Sequence, residues 1–168
     1  MKLCFALALV FTVFSALSEE ITSSEFKERK NDIELKVEIP RKAIAGTEIK
    51  IRLLMTNKGK EVVTYGESTE LRGFDIKLVD NDYSPVSTTK YWDAIGGNSA
   101  NSRYVIRELA PGATKIVDFN ISRVFDVTVA GDYFLTVSRM FNVLTKNKFS
   151  IEVSKAKVVI NEPSMESK

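Results

Sequence analysis

Histidine is missing altogether from this sequence, and cysteine occurs once, at Cys4. Without an imidazole the chain cannot build a Ser-His-Asp or Cys-His pair, a metalloprotease HExxH helix or any other zinc site with a His ligand. An excess of charge of one sign is also lacking: 24 Lys and Arg stand against 22 Asp and Glu. Nothing in that balance points to a nucleic-acid binder. A Gly-rich phosphate loop is absent too, because Gly96-Gly97 runs into the polar stretch Asn98-Ser99-Ala100-Asn101-Ser102, which reads as a flexible loop.

The lone cysteine belongs to a targeting segment. Lys2 is followed by an almost unbroken apolar run over residues 3–14, then Ser15-Ala16-Leu17-Ser18 and the acidic pair Glu19-Glu20. One basic residue, an apolar stretch and small residues at Ala16 and Ser18 predict a signal peptide, residues 1–18, cleaved after Ser18. The apolar run is short of the roughly 20 residues a membrane span requires, which leaves an uncleaved anchor as the alternative. Cys4 lies at the start of the apolar run instead of following it, an arrangement that does not suit lipidation. Removal of the segment leaves residues 19–168 without cysteine, so a secreted or periplasmic product would have no disulfide and no stable membrane span. A domain of about 150 residues buries about 68–70% of its unfolded surface, enough to hold a fold by packing alone.

Residues 19–32 are polar and charged, with Ile21 and Phe26 as the sizeable apolar groups. They read as a lead-in, disordered or carrying one docked helical turn, since Thr22 and Glu25 have capping-box spacing and Ile21 and Phe26 that of a hydrophobic staple. From Ile33 the apolar period is two. Ile33, Leu35, Val37 and Ile39 alternate with Glu34, Lys36 and Glu38, and Pro40 ends the run, the pattern of a half-buried strand. The alternation returns at Ile49-Ile51-Leu53-Met55, Phe74-Ile76-Leu78, Val117-Phe119-Ile121, Tyr133-Leu135-Val137 and Phe149-Ile151-Val153. Residues 62–65, 104–106 and 158–160 are shorter candidates, making about nine strands.

Turn signals separate them, among them Asn57-Lys58-Gly59, Asp80-Asn81-Asp82, Ala110-Pro111-Gly112, Gly131-Asp132 and Lys146-Asn147. No helical stripe of useful length appears. The expectation is therefore an all-β fold, an antiparallel immunoglobulin-like β-sandwich over residues 33–161 with a disordered tail at 162–168. Tyr133 opens a strand just after the Gly131-Asp132 turn, where a tyrosine corner sits in such sandwiches. An ordinary strand-opening Tyr is the alternative.

Leu109-Ala-Pro-Gly112, Val117-Asp-Phe-Asn-Ile-Ser-Arg-Val-Phe-Asp126 and Ala130-Gly-Asp-Tyr-Phe-Leu-Thr-Val137, with the earlier Leu53-Leu-Met-Thr-Asn-Lys-Gly59, resemble a pattern in secreted immunoglobulin-like domains. Similar domains occur in bacterial exported proteins and as the non-catalytic front segment of deuterolysin-type metallopeptidases. The resemblance covers roughly residues 33–155 and its motifs mark turns and core positions, not catalytic groups. It implies the sandwich alone, because the HExxH helix of those peptidases has no His to be made from.

Other chemical motifs fail on inspection. Asp80-Asn81-Asp82 begins like a calcium loop, but Pro85 stands where Gly is needed and Tyr91 where a bidentate Glu belongs, so it reads as a hairpin turn. Ser-x-x-Lys occurs at Ser24/Lys27, Ser87/Lys90 and Ser154/Lys157 without the partner motifs of penicillin-recognising enzymes. Asn120-Ile121-Ser122 is a glycosylation sequon on the outward side of a strand. No catalytic residue, cofactor or metal is expected.

Aromatic placement points to a surface. Tyr83, Tyr91 and Trp92 lie in the irregular stretch 80–103, and neighbours on an extended segment face opposite ways, so Tyr91 and Trp92 cannot both enter the core. Exposed Tyr and Trp suit protein interfaces and sugar stacking. The other reading has the loop fold back so that these rings plug the open end of the sandwich. The expected function is a non-catalytic binding module whose partner is a protein or a glycan. The alternative is a peptidase-directed module, an inhibitor or a stand-alone relative of a propeptide.

Overall fold

The computed structural model of the protein describes residues 23–67, 73–94, 105–142 and 146–163. The cleavage site after Ser18, most of the tail and the Gly96-Gly97 loop lie outside them. Two sheets face each other. One has the order β1 (Ser23–Lys30), β2 (Ile33–Pro40), β4 (Lys50–Asn57), β8 (Thr114–Asn120). The other runs β3 (Ala43–Ile44), β10 (Phe149–Asn161), β9 (Gly131–Phe141), β5 (Val63–Glu67), β7 (Val105–Leu109), with β6 (Phe74–Val79) also on β9. In β2-β4-β8 packed against β6-β9-β10 the strand order is that of the A-B-E and C-F-G sets of an immunoglobulin sandwich.

The period of two dictates which side chains meet between the sheets. Ile33, Leu35, Val37 and Ile39 of β2 are buried, as are Ile51, Leu53 and Met55 of β4 and Leu135, Val137 and Phe141 of β9. Each fully buried aliphatic side chain contributes about 1.5–3 kcal/mol relative to exposure. Tyr133 makes the corner: its hydroxyl donates to the Val129 carbonyl at 2.8 Å, tying the start of β9 to the connection before it. Burial, helped by Asp126 and Asp80, raises its pKa from the ordinary 10.0.

Three expectations are corrected. Residues 23–30 are neither a tail nor a helical turn but strand β1, paired with β2 from Ser23↔Pro40 to Lys30↔Ile33. Asn31 and Asp32 both have positive φ, 46° and 62°, which is the two-residue hairpin geometry. Backbone pairing and charge hold β1 more than apolar contact does: Lys36 Nζ reaches Glu25 at 2.9 Å and Glu38 at 2.8 Å, and Phe26 alone of this strand packs on the core. Hydrogen bonds to those two carboxylates, Glu38 first, raise the Lys36 pKa.

The sheets are also not wholly antiparallel. After Pro40 closes β2, the chain steps to the other sheet without reversing, so β3 lies parallel to β10, with Ala43 beside Ile160 and Ile44 beside Asn161. Finally, residues 149–153 and 158–160 are one strand, not two. Their register on β9 shifts between Val153 and Ala156, where an extra residue forms a β-bulge.

Candidate functional site

Asp80 shapes the first half of the site. Its backbone N–H donates to the Ser84 carbonyl at 3.0 Å, and its Oδ1 accepts the N–H groups of Asp82 and Ser84, both at 2.9 Å. The carboxylate expected to make a turn is thus engaged by backbone amides, and Val79 and Pro85 bridge across the loop. At its tip Tyr83 is held at φ 60°, a conformation that costs a bulky L-residue roughly 1–3 kcal/mol. That backbone turns the ring over the outer face of β9, where it stacks on Phe134 with centroids 5.5 Å apart and planes 13° from parallel.

β10 supplies the second half. Opposite Leu135–Val137 of β9, the bulge inserts one residue, and Lys155 takes φ 56°. Its N–H reaches Thr136 Oγ1 at 3.5 Å, and its ammonium lies 5.4 Å from the Tyr83 ring centroid. Of the non-glycine residues with positive φ, Asn31, Asp32 and Asn142 have the short polar side chains that tolerate it. Tyr83 and Lys155 do not, and they are the two that meet.

The surrounding charges are distributed unevenly. Lys77 pairs with Asp75 at 3.3 Å and Lys157 with Asp132 at 2.7 Å. Among the described residues Lys155 has no carboxylate within 4.0 Å. Tyr83 remains 59% exposed while one ring face rests on Phe134. The outcome is an exposed aromatic ring with a lysine ammonium over it that has no carboxylate partner among the described residues.

The other two expected residues sit elsewhere. Tyr91 and Trp92 lie on a single helical turn, α1 (Lys90–Ala94), not on an extended segment. Thr89 caps it by accepting the Trp92 N–H at 3.2 Å, and Thr88 donates to Asp93 at 2.7 Å. Backbone bonds from Thr89 to Val124 and from Asp126 to Ser87 dock the segment on the β8–β9 connection. Trp92 packs on the core and Tyr91 stays 54% exposed. The two do face different ways, as expected, but through helical rotation. Trp92 is thus partly buried against the core while Tyr83 and Tyr91 remain exposed, and among the described residues no ring contact joins Tyr91 to Tyr83.

Phe134 and Lys155 were missed by sequence reasoning, as was Arg139. Arg139 is buried on β9 between Tyr65 and Phe74, with its guanidinium carbon 4.6 Å and 4.4 Å from the ring centroids. Its Nη2 donates to the Gly66 carbonyl at 2.9 Å, so it fastens the β5 end to β9 from inside. The sequon residue Asn120 works locally, its Oδ1 accepting from the Ser122 N–H and hydroxyl and its Nδ2 donating to Glu48. Among the described residues no group of carboxylates is arranged to hold a metal ion.

No family model matches the chain, and no curated protein matches it. The C-terminal domain of wzt aligns over 83% of this chain and 78% of its own, at 12% identity and a TM-score of 0.45. A β-glucosidase from Listeria innocua, solved in complex with gluconolactone, aligns over 79% of this chain at 11% identity and a TM-score of 0.32. The aligned part is 16% of that enzyme. Likenesses this distant carry no argument about function, and neither extends the resemblance to deuterolysin-type front segments.

Proposed function

We propose that this protein is an exported, non-catalytic binding module that engages a glycan on the Tyr83 platform. The observation that carries the reading is the exposed Tyr83 ring, backed by Phe134 and held by an unfavourable backbone conformation. Strain of that kind persists where surrounding structure enforces it, and it concentrates at functional positions. The negative face of an aromatic ring suits the weakly positive C–H groups on one side of a pyranose.

Protein partners fit this surface less well. A stable protein interface buries at least about 1,000 Å² around an apolar centre, whereas the face of β9 that carries Phe134 also presents Thr136 and, on the strands beside it, the ion-paired Lys77 and Lys157. A peptidase-directed role is supported only by the resemblance noted above.

Affinity electrophoresis through gels containing neutral or acidic polysaccharides tests the proposal. The protein should be retarded by at least one polymer, and Tyr83→Ala should lose about tenfold in affinity, the scale of a ring contact of ~1.5 kcal/mol, while keeping the far-UV circular dichroism of the folded wild type. Equal retardation of wild type and variant, or inhibition of a peptidase that survives Tyr83→Ala without any glycan binding, would overturn it.

A further inference from the structure

We infer that the glycan is anionic, a saccharide whose carboxylate pairs with Lys155 while its ring lies on Tyr83. This rests on the platform reading above and adds the sign of the ligand's charge. Three lysines approach the outer face around Tyr83 and Phe134, and the carboxylates are shared out unequally among them. Lys77 and Lys157 each have one in contact, at 3.3 Å and 2.7 Å. Lys155 has an aromatic ring instead, 5.4 Å from its ammonium. Solvated lysines on a sheet face ordinarily serve solubility and discourage edge pairing. That explanation covers Lys77 and Lys157, which sit in regular strand register.

Lys155 is different because its position is made by a departure from regular structure. The bulge in β10 re-aims the side chain, a recognised use of such insertions, and the residue adopts φ 56° where Gly or Asn would be at ease. The backbone therefore brings a cation over the Tyr83 ring, 5.4 Å from its centroid, from a residue 72 positions further along the chain. An ammonium is a compact point charge with three donors, suited to a single carboxylate. A sugar laid against Tyr83 comes within reach of the ammonium 5.4 Å from the ring centroid, so a hexuronate meets both groups together.

Calorimetric titration of the full-chain protein with trigalacturonate and with its methyl ester separates charge from ring stacking. The free acid should bind about fivefold more tightly than the ester, the upper range for an exposed ion pair. Lys155→Gln should abolish that preference, and Lys155→Arg should preserve it. Raising the salt concentration should bring the acid to the affinity of the ester. Equal binding of acid and ester, or a preference that survives Lys155→Gln, overturns the inference while the platform stands. Loss of neither ligand in Tyr83→Ala overturns the platform itself, and with it the inference.

Discussion

Replacement of Asn57 is the most direct test of how the sandwich is closed at its β7–β8 end. Asn57 is 0% exposed and its side chain uses every group it has. Nδ2 donates to the carbonyls of Glu61 at 2.7 Å and Leu109 at 2.9 Å, while Oδ1 accepts the Gly59 N–H at 2.9 Å. Its carbonyl also accepts from the Gly112 N–H and its own N–H donates to Ala113, so one residue joins the 57–61 turn to the 109–113 turn. Asn57→Ala removes three hydrogen bonds, each worth about 0.5–1.5 kcal/mol, and leaves the Leu109 carbonyl dry, for a loss of roughly 2–4 kcal/mol. With m about 2 kcal/mol/M, the urea midpoint should fall by about 1–2 M. Asn57→Asp should be worse at neutral pH, because it sets a carboxylate against two carbonyl oxygens with the Asp32 carboxylate close by on the Gly59 side. Burial and those neighbours raise the introduced carboxyl above its unfolded value of about 3.9. Stability is then present below the unfolded pKa and lost as pH rises through the folded one, so the deficit of Asn57→Asp relative to Asn57→Ala should shrink on acidification from about pH 7 to pH 4. An Asn57→Ala variant within about 0.5 kcal/mol of wild type, or an Asp-versus-Ala difference that ignores pH, would refute the reasoning.

Two further outcomes are expected. Tyr133→Phe should cost about 0.5–1.5 kcal/mol at neutral pH through loss of the bond to Val129; because the folded-state phenol titrates above 10.0, wild type loses this stabilisation as pH rises through that folded pKa, so urea midpoints of the two proteins should converge in alkali. A gap that stays constant or widens above about pH 10 would contradict the burial of the phenol. If residues 1–18 are a signal peptide, N-terminal sequencing of the protein from the exported fraction should begin at Glu19, and a product beginning at Met1 would remove the export reading.

The strands that were legible are those whose burial alternates along their whole length. β2 reads buried, half-buried, buried from Ile33 to Pro40 because its two faces meet core and solvent in strict turn. β1 hides because it lies at a sheet edge and gives the core little beyond Phe26; its signal was the Asn31-Asp32 pair, a hairpin turn between a charged run and an apolar one. α1 has five residues, too few to display a 3.6-residue period, which is why Tyr91 and Trp92 were correctly set apart for a reason that does not apply. Arg139 was readable, since it falls in phase with Leu135, Val137 and Phe141 on the inward face of β9.

The site itself could not be read in the same way, and β10 shows why. Its buried residues are odd-numbered at Ile151 and Val153 and even-numbered at Ala156, Val158 and Ile160. A period of two cannot change parity without an insertion, so what resembled two strands with a break was one strand carrying one extra residue. The residue that breaks the pattern is part of the insertion that sends Lys155 out to Tyr83. Tyr83 is likewise placed by a positive φ that no alternation encodes, and its partner Phe134 is known only once Val79 is registered beside it. Core positions repeat and can be counted along the chain. A platform made at a loop tip, a cross-strand neighbour and a bulge is assembled from interruptions of that repeat, and becomes visible when the register of β6, β9 and β10 is fixed.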